Sequence, residues 1–322
     1  MPAARLFIAT PAGAAARNGN RHTATRWAAM LRRSGFQANV AMEWQGEACD
    51  ALIALHARRS HASIVSFKET GKPLIVVLTG TDLYKDLPGS AEARRSLELA
   101  DRVIVLQEAA LRELAPAVRR KARVVYQSSD CALRRDPPKD KFRLAVVGHL
   151  RAEKDPFRTV LAVNALKGED LEIVHIGGAL DPALGEEAKR WMAREPRYRW
   201  LGSVPHGRAL RWIAASHLVV HSSVMEGGAN VIVEAARIGT PVLASRVSGN
   251  VGMVGARYPG LFPVYDDRAL ANLVRRASGE PRFYASLVRE LQKRRRLFAP
   301  AEERRALLGV VRDALRPSRP RR

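Results

Sequence analysis

"HLVVHSSVMEGGANVIVEAARIGTPVLASRV", residues 217–247, decides the fold. A short β-rich run leads through the glycine pair Gly227–Gly228 into an apolar segment of helical length, which Gly239 and Pro241 stop before a second β-rich run begins. Strand, helix, strand is the crossover unit of a parallel sheet, because parallel neighbours cannot be joined by a hairpin. Glu226 and Glu234 stand either side of the glycine-rich approach. The reading places them at the two ends of a helical turn and a half.

The same alternation extends outward in both directions. "RLFIAT", "QANVAMEW", "ALIALH", "PLIVVLTG", "RVIVLQ" and "RVVYQ" precede it, separated by helical stretches such as "TATRWAAMLRRSG" and "SAEARRSLELA". "FRLAVVGHL", "LEIVHIGG", "YRWLGSV", "HLVVHSS", "PVLASRV" and "GLFPVY" repeat the pattern in the second half. Between the halves, "LRRDPPKDK" breaks it with paired prolines and charge, as a linker does. The expected organisation is α/β: a Rossmann-like domain over 1–135, a second over 136–282, and C-terminal helices with a basic tail over 283–322 that pack back across the domains. In open sheets of this kind ligands lie outside the carboxyl ends of the strands, so the expected site is a central cleft faced by both domains.

Composition narrows the function classes. A chain of 322 residues, 47% of them hydrophobic, is long enough for two cores. No apolar run approaches the roughly 20 residues of a membrane span, and the opening lacks a signal-peptide pattern, so the expectation is a cytoplasmic protein without a membrane partner. Two cysteines, Cys49 and Cys131, offer neither a disulfide framework nor a zinc site. The net charge of +22 suits an anionic partner. Its arginines are scattered over nearly every helix without interleaved aromatics, which argues against nucleic-acid binding as the main function.

The motifs with chemical content fall at strand ends. "AVVGHLRAEKDP" sets Gly148, His149, Arg151 and Lys154 after a strand, where cationic side chains can meet a diphosphate leaving group. Gly227 and Gly228 let backbone approach a ligand, and the amides from Ala229 through Asn230 to Val231 open a helix whose positive end favours phosphate. Glu234 then accepts hydrogen bonds from paired hydroxyls such as those of a ribose. In the first half, "ARNGNRHTATRW" presents Asn18, Asn20, Arg21, His22 and Thr23, and "LHARRSH" presents His56, Arg58, Arg59 and His61. Each is a candidate to hold an anion.

Glu226 and Glu234 at this spacing, followed by "AARIGTPVLAS", resemble the E-x7-E signature of the retaining GT-B glycosyltransferases of the sucrose-synthase-like family. That resemblance implies two Rossmann-like domains, Glu234 on the nucleotide ribose, Glu226 by the donor sugar and Lys154 on the diphosphate, with the nucleoside seated by Glu234 and backbone near Val204 and Pro205. It also implies no cofactor and no metal, the nucleotide sugar being a co-substrate, and no Asp-x-Asp manganese anchor is present. Two positions depart from the family. His149 stands where its phosphate arginine follows the glycine, so the charge is expected to pass to Arg151. Thr79, in "PLIVVLTGTDLYKDL", stands where relatives carry a histidine beside the reacting sugar.

A hydroxyl acceptor needs help losing its proton, whereas an anionic acceptor needs none. "NGNRHTATRW", "ALHARRSHASI", "VVLTGTDLYKDL", "ADRVIVLQ" and "VVGHLRAEKDPFR" together resemble one narrow branch, the selenosugar synthases of selenoneine biosynthesis. This implies transfer of a sugar from a UDP-sugar, chiefly UDP-N-acetylglucosamine, to selenophosphate, with other enzymes of that pathway as partners. Selenium would attack from the N-terminal domain, positioned by Asn20, Arg21, His22 and Thr23. Two other readings stay open: a glycosyltransferase with a hydroxyl or thiol acceptor, and a nucleotide-sugar or nucleic-acid binding protein without turnover.

Overall fold

The computed structural model describes residues 3–13, 19–166 and 168–316. Among these, the twelve β-rich runs of the sequence all become strands. The first sheet holds β1 (Arg5–Ala9), β2 (Gln37–Ala41), β3 (Ala51–Leu55), β4 (Leu74–Leu78), β5 (Arg102–Val105) and β6 (Ala122–Val124), in the order β2-β1-β3-β4-β5-β6. The second holds β7 (Phe142–Val147), β8 (Leu171–Ile176), β9 (Tyr198–Trp200), β10 (Leu218–His221), β11 (Val242–Ser245) and β12 (Leu261–Phe262), in the order β12-β11-β10-β7-β8-β9. All pairings are parallel, with β10 beside β7 in the register Val219 to Ala145 and Val220 to Val146. The second order is the doubly wound one whose direction of progression reverses between β7 and β10, and such a reversal opens a crevice at the strand ends.

The central runs of the first sheet are apolar because of where their side chains point. Successive residues of a strand face opposite sides of its sheet. In the first sheet, Ile53, Leu55, Ile75 and Val77 pack with Trp27 and Leu31 on one face, while Leu52, Ala54, Leu74 and Val76 pack with Ile64 and Phe67 on the other. Helices cover both faces, so both sets of positions are apolar.

The chain divides into two compact units, one running to Gln127 and resuming at Pro300, the other Ser128–Ala299. The expected boundary at 135/136 is therefore displaced. The proline-rich stretch belongs to the second unit, where the Asp136 N–H donates to the Ala214 carbonyl at 2.8 Å and Arg135 donates to the Tyr284 hydroxyl. The last helices also part company. Pro281–Arg294 stays with the second unit, and Pro300–Leu315 returns to the first, adding Leu307, Val310 and Val311 to the cluster around Trp27. Glu303 fixes that return: its buried carboxylate accepts from Trp27 Nε1 at 2.7 Å and from Arg26 Nε at 2.9 Å.

In the crossover unit between β10 and β11, the helix is Asn230–Ile238 and ends at Gly239, whose φ of 97° is open to glycine without steric cost. No described helix is long and apolar enough to cross a membrane.

Candidate active site

β7 and β10 are neighbours, and each releases its chain at the reversal point of the second sheet. After β7 the chain passes Gly148 and His149 into a single turn, Ala152–Lys154, closed by Asp155 in a left-handed conformation at φ 44°. After β10 it runs through Ser222 and Ser223 to Glu226. The two loops are stitched together: the Val224 N–H donates to the Glu153 carbonyl at 2.9 Å, and Ser222 Oγ donates to the Asp155 carbonyl at 2.8 Å. Lys154 and Glu226 thereby meet, and Lys154 Nζ donates to Glu226 Oε1.

Glu226 lies in the loop ahead of the helix, not at one end of it, so the expectation that both glutamates bracket a helical turn and a half is corrected. Only Glu234 is helical. The glycine pair ahead of the helix disfavours an earlier start. An ideal Cβ on Gly249 would fall 1.8 Å from the Glu226 carbonyl oxygen, so any larger residue there must displace the glutamate's backbone. Behind this contact Asn250 Nδ2 donates to the Ser245 carbonyl at 3.0 Å, and Ser245 Oγ donates to the Ser223 carbonyl.

Burial opposes charge on Glu226, but the Lys154 ammonium and a hydrogen bond from His221 hold its carboxyl well below the usual carboxylate range. His221 Nε2 lies 3.0 Å from Glu226 Oε1 and 3.2 Å from Ser223 Oγ. Burial pushes the imidazole of His221 down, against the pull of Glu226, so the ring is a neutral N–H donor to an ionised carboxylate.

The helix Asn230–Ile238 has Ala229 at its N-cap and no side-chain cap, which leaves the first-turn amides of Asn230 and Val231 for an anion. Glu234, one turn further along, has Oε1 2.8 Å from His206 Nε2. That contact, and the loss of solvent opposing it, leave His206 with a raised pKa. Pro205 caps the helix His206–Ala214, and Val204 packs against the small cluster of Val174, Ile176 and Ala209. The two expected nucleoside positions thus lie next in sequence to the partner of Glu234.

His149 and Arg151 separate in character. His149 Nδ1 accepts from the Gly178 N–H at 3.1 Å, which docks the ring on the loop after β8 and makes Nε2 its proton-bearing nitrogen. Arg151 is exposed at the head of the Ala152–Lys154 turn.

In the first unit the expected anion contacts are partly absorbed by the fold. Asn20, Arg21, His22 and Thr23 lie in the first turns of the helix Gly19–Arg32, and Asn18 lies outside the described residues. Thr23 is buried: its hydroxyl donates to the Gly19 carbonyl at 2.9 Å and accepts from Gln127 Nε2. Arg58 pairs with Asp86 at 3.1 Å. His56, at φ 76° and buried, is pushed toward neutrality by burial, and His61 Nδ1 lies 2.8 Å from Ser96 Oγ. Thr79 gives its N–H to Asp82 Oδ1 at 2.9 Å, an oxygen that also receives the Gly80 N–H at 2.8 Å. Among the described residues, no group of three or more His, Cys, Asp or Glu is placed to hold a metal ion.

Sequence reasoning missed His206, His221, Gly249 and Asn250. His221 had a signal, a lone ring at the end of an apolar strand two residues from a second serine. The other three become meaningful only when the loops after β9, β10 and β11 are brought together.

Residues 133–294, half of the chain, match the family described as Glycosyl transferases group 1. The chain belongs to the group 1 glycosyl transferases. The match covers both loops of the Lys154–Glu226 site and the whole helix of Glu234. Solved structures share the fold. Anabaena HepE in complex with UDP and glucose is 17% identical, with a TM-score of 0.76, over 96% of this chain and 100% of that one. Sucrose-phosphate synthase from Thermosynechococcus elongatus is 17% identical at TM-score 0.79, over 96% and 98%. A glycosyltransferase from Rickettsia africae ESF-5 is 13% identical at TM-score 0.79, over 99% and 100%. This glycosyltransferase thus has the α/β fold of the GT-B enzymes, with a Rossmann-like sheet in each unit.

Proposed function

We propose that this glycosyltransferase transfers a sugar from a UDP-sugar, chiefly UDP-N-acetylglucosamine, to selenophosphate, forming a carbon–selenium bond. The observation that carries the donor half is the Lys154–Glu226 pair at the reversal point, one loop away from an uncapped helix start and Glu234. These are an ammonium and amides for a diphosphate, a carboxylate for sugar hydroxyls and a carboxylate for ribose hydroxyls. The HepE complex with UDP and glucose supports a uridine nucleotide as donor.

For the acceptor, Thr79 supports selenophosphate. A threonine hydroxyl is no base near neutral pH, and a selenium anion needs none. In the transfer step the bond from the anomeric carbon to UDP breaks and its electron pair leaves with UDP. Selenium supplies the pair of the new bond, and water later takes the phosphoryl group from selenium. Lys154, with Arg151 or His149 and the amides of Asn230 and Val231, stabilises charge on departing UDP. Metal and cofactor have no assigned part in this reading, which chelation of the assay tests directly. The acceptor assignment is checked by Thr79→Val: turnover with selenophosphate should hold within about tenfold, since no proton relay is removed. Its abolition, together with a pH profile governed by an enzyme group near the histidine range, would favour a hydroxyl or thiol acceptor instead.

A further inference from the structure

His221, the second partner of Glu226, is buried at 4% exposure and aimed at the glutamate assigned to the donor sugar. Both described polar contacts of that carboxylate, from Lys154 and His221, fall on Oε1. Lys154 sits on a flexible stem, and on the donor-site reading above its ammonium must serve the diphosphate. An ammonium that turns toward two phosphates leaves Glu226 without its strongest partner, and a buried carboxylate stripped of partners takes up a proton or rearranges.

We propose that His221 is a positioning residue that keeps the Glu226 carboxylate ionised and aimed at the sugar once Lys154 has turned to the diphosphate. It is suited to that part because it stands on the last residue of β10, held by the ladder, and cannot follow the phosphate. Its ring is neutral, so its N–H donates to Glu226 without adding a second cation against Lys154. The charged groups that face it are Glu226 and Lys154. Its register partner on β11 is the uncharged Ala244, and behind the loop Asn250 donates to Ser245, which donates to the Ser223 carbonyl.

The experiment is calorimetric titration of UDP and of UDP-N-acetylglucosamine into the full chain between pH 5 and 8, for wild type, His221→Leu and His221→Gln. The ratio of the two affinities isolates the sugar contact from the diphosphate contact. In wild type this ratio should stay level across the range. In His221→Leu it should fall as pH decreases, its midpoint moved up by about one to two pH units, the equivalent of one charge-assisted hydrogen bond. His221→Gln, whose amide N–H can stand where Nε2 stands, should restore the level ratio. A His221→Leu ratio as level as wild type, or a loss equal at every pH that glutamine does not repair, overturns the proposal while leaving the donor site intact. Wild-type protein that fails to bind UDP overturns the donor-site reading itself, and the role of His221 with it.

Discussion

His206 Nε2 lies 2.8 Å from Glu234 Oε1, so the carboxylate assigned to the ribose is already engaged by an exposed histidine. The hydrogen bond that His206 donates to Glu234 raises the imidazole above its ordinary value of 6.5, the loss of solvent working against it. A protonated ring competes with ribose hydroxyls more strongly than a neutral one. Lowered pH should therefore weaken UDP binding, and affinity should rise as pH climbs through the raised pKa of His206. His206→Ala should flatten that dependence, and Glu234→Ala should weaken UDP by about 3 kcal/mol, roughly two orders of magnitude in Kd. Calorimetry from pH 6 to 8.5 reads both. A UDP affinity indifferent to Glu234→Ala contradicts the ribose assignment.

Lys154→Ala should lower turnover by roughly two to three orders of magnitude while changing UDP affinity less, as loss of a charge donor that acts mainly in the transition state does. Arg151→Ala and His149→Ala divide the remaining diphosphate role. The exposed guanidinium brings charge and the docked imidazole brings a fixed N–H. Steady-state kinetics on the three variants should give the larger loss for Arg151→Ala. The reverse order assigns the contact to the ring.

His175 is fully buried on β8, its Nδ1 2.9 Å from the Tyr198 hydroxyl, and burial depresses its pKa to about 4, with a backbone contact at Gly148 opposing. The unfolded chain therefore takes up this proton at a higher pH than the folded one. The resulting stability is fully present above pH 6.5 and drains away as pH falls toward 4, by roughly 3 kcal/mol at most. Urea midpoints measured between pH 7 and 4.5 should fall for wild type and fall less for His175→Gln.

Glu303→Ala should destabilise the first unit by about 3–5 kcal/mol, because it leaves Trp27 Nε1 without its carboxylate and Arg26 without its buried partner. Arg26→Ala should cost more than an exposed ion pair would, since the charge it abandons is buried. Urea unfolding followed by tryptophan fluorescence and circular dichroism measures both.

Much of this molecule was legible in its sequence because parallel strands covered on both faces are predominantly apolar. Leu52 to Leu55 and Leu74 to Leu78 alternate between two cores, so both sets are apolar. Lys154 and Glu226 stood out in the sequence as charged residues in the loops after two apolar strands, and Glu234 as the lone acid in the apolar helix that follows the glycine pair. What the sequence withheld is three-dimensional. Nothing in "VPHGRAL" announces that His206 will meet a carboxylate 28 residues away, and nothing in "VSGNVG" that Gly249 will lie against the Glu226 carbonyl. Thr23 misled because a polar residue at a helix start reads as a ligand, while Gln127 from the far end of the first unit uses its hydroxyl. Residue 135 misled as a boundary because prolines and charge mark a surface segment, and a surface segment can still be fastened to one unit.

Whether selenophosphate is the acceptor is decided by a single reaction. Purified protein is incubated with UDP-N-acetylglucosamine and selenophosphate, UDP release is followed, and the products are examined by mass spectrometry for the isotope pattern of selenium. UDP release should depend on selenophosphate, with a selenium-bearing product whose mass is that of the sugar joined through selenium. UDP release that ignores selenophosphate, or a sugar product without selenium formed equally well with a hydroxyl acceptor, would contradict the selenophosphate assignment.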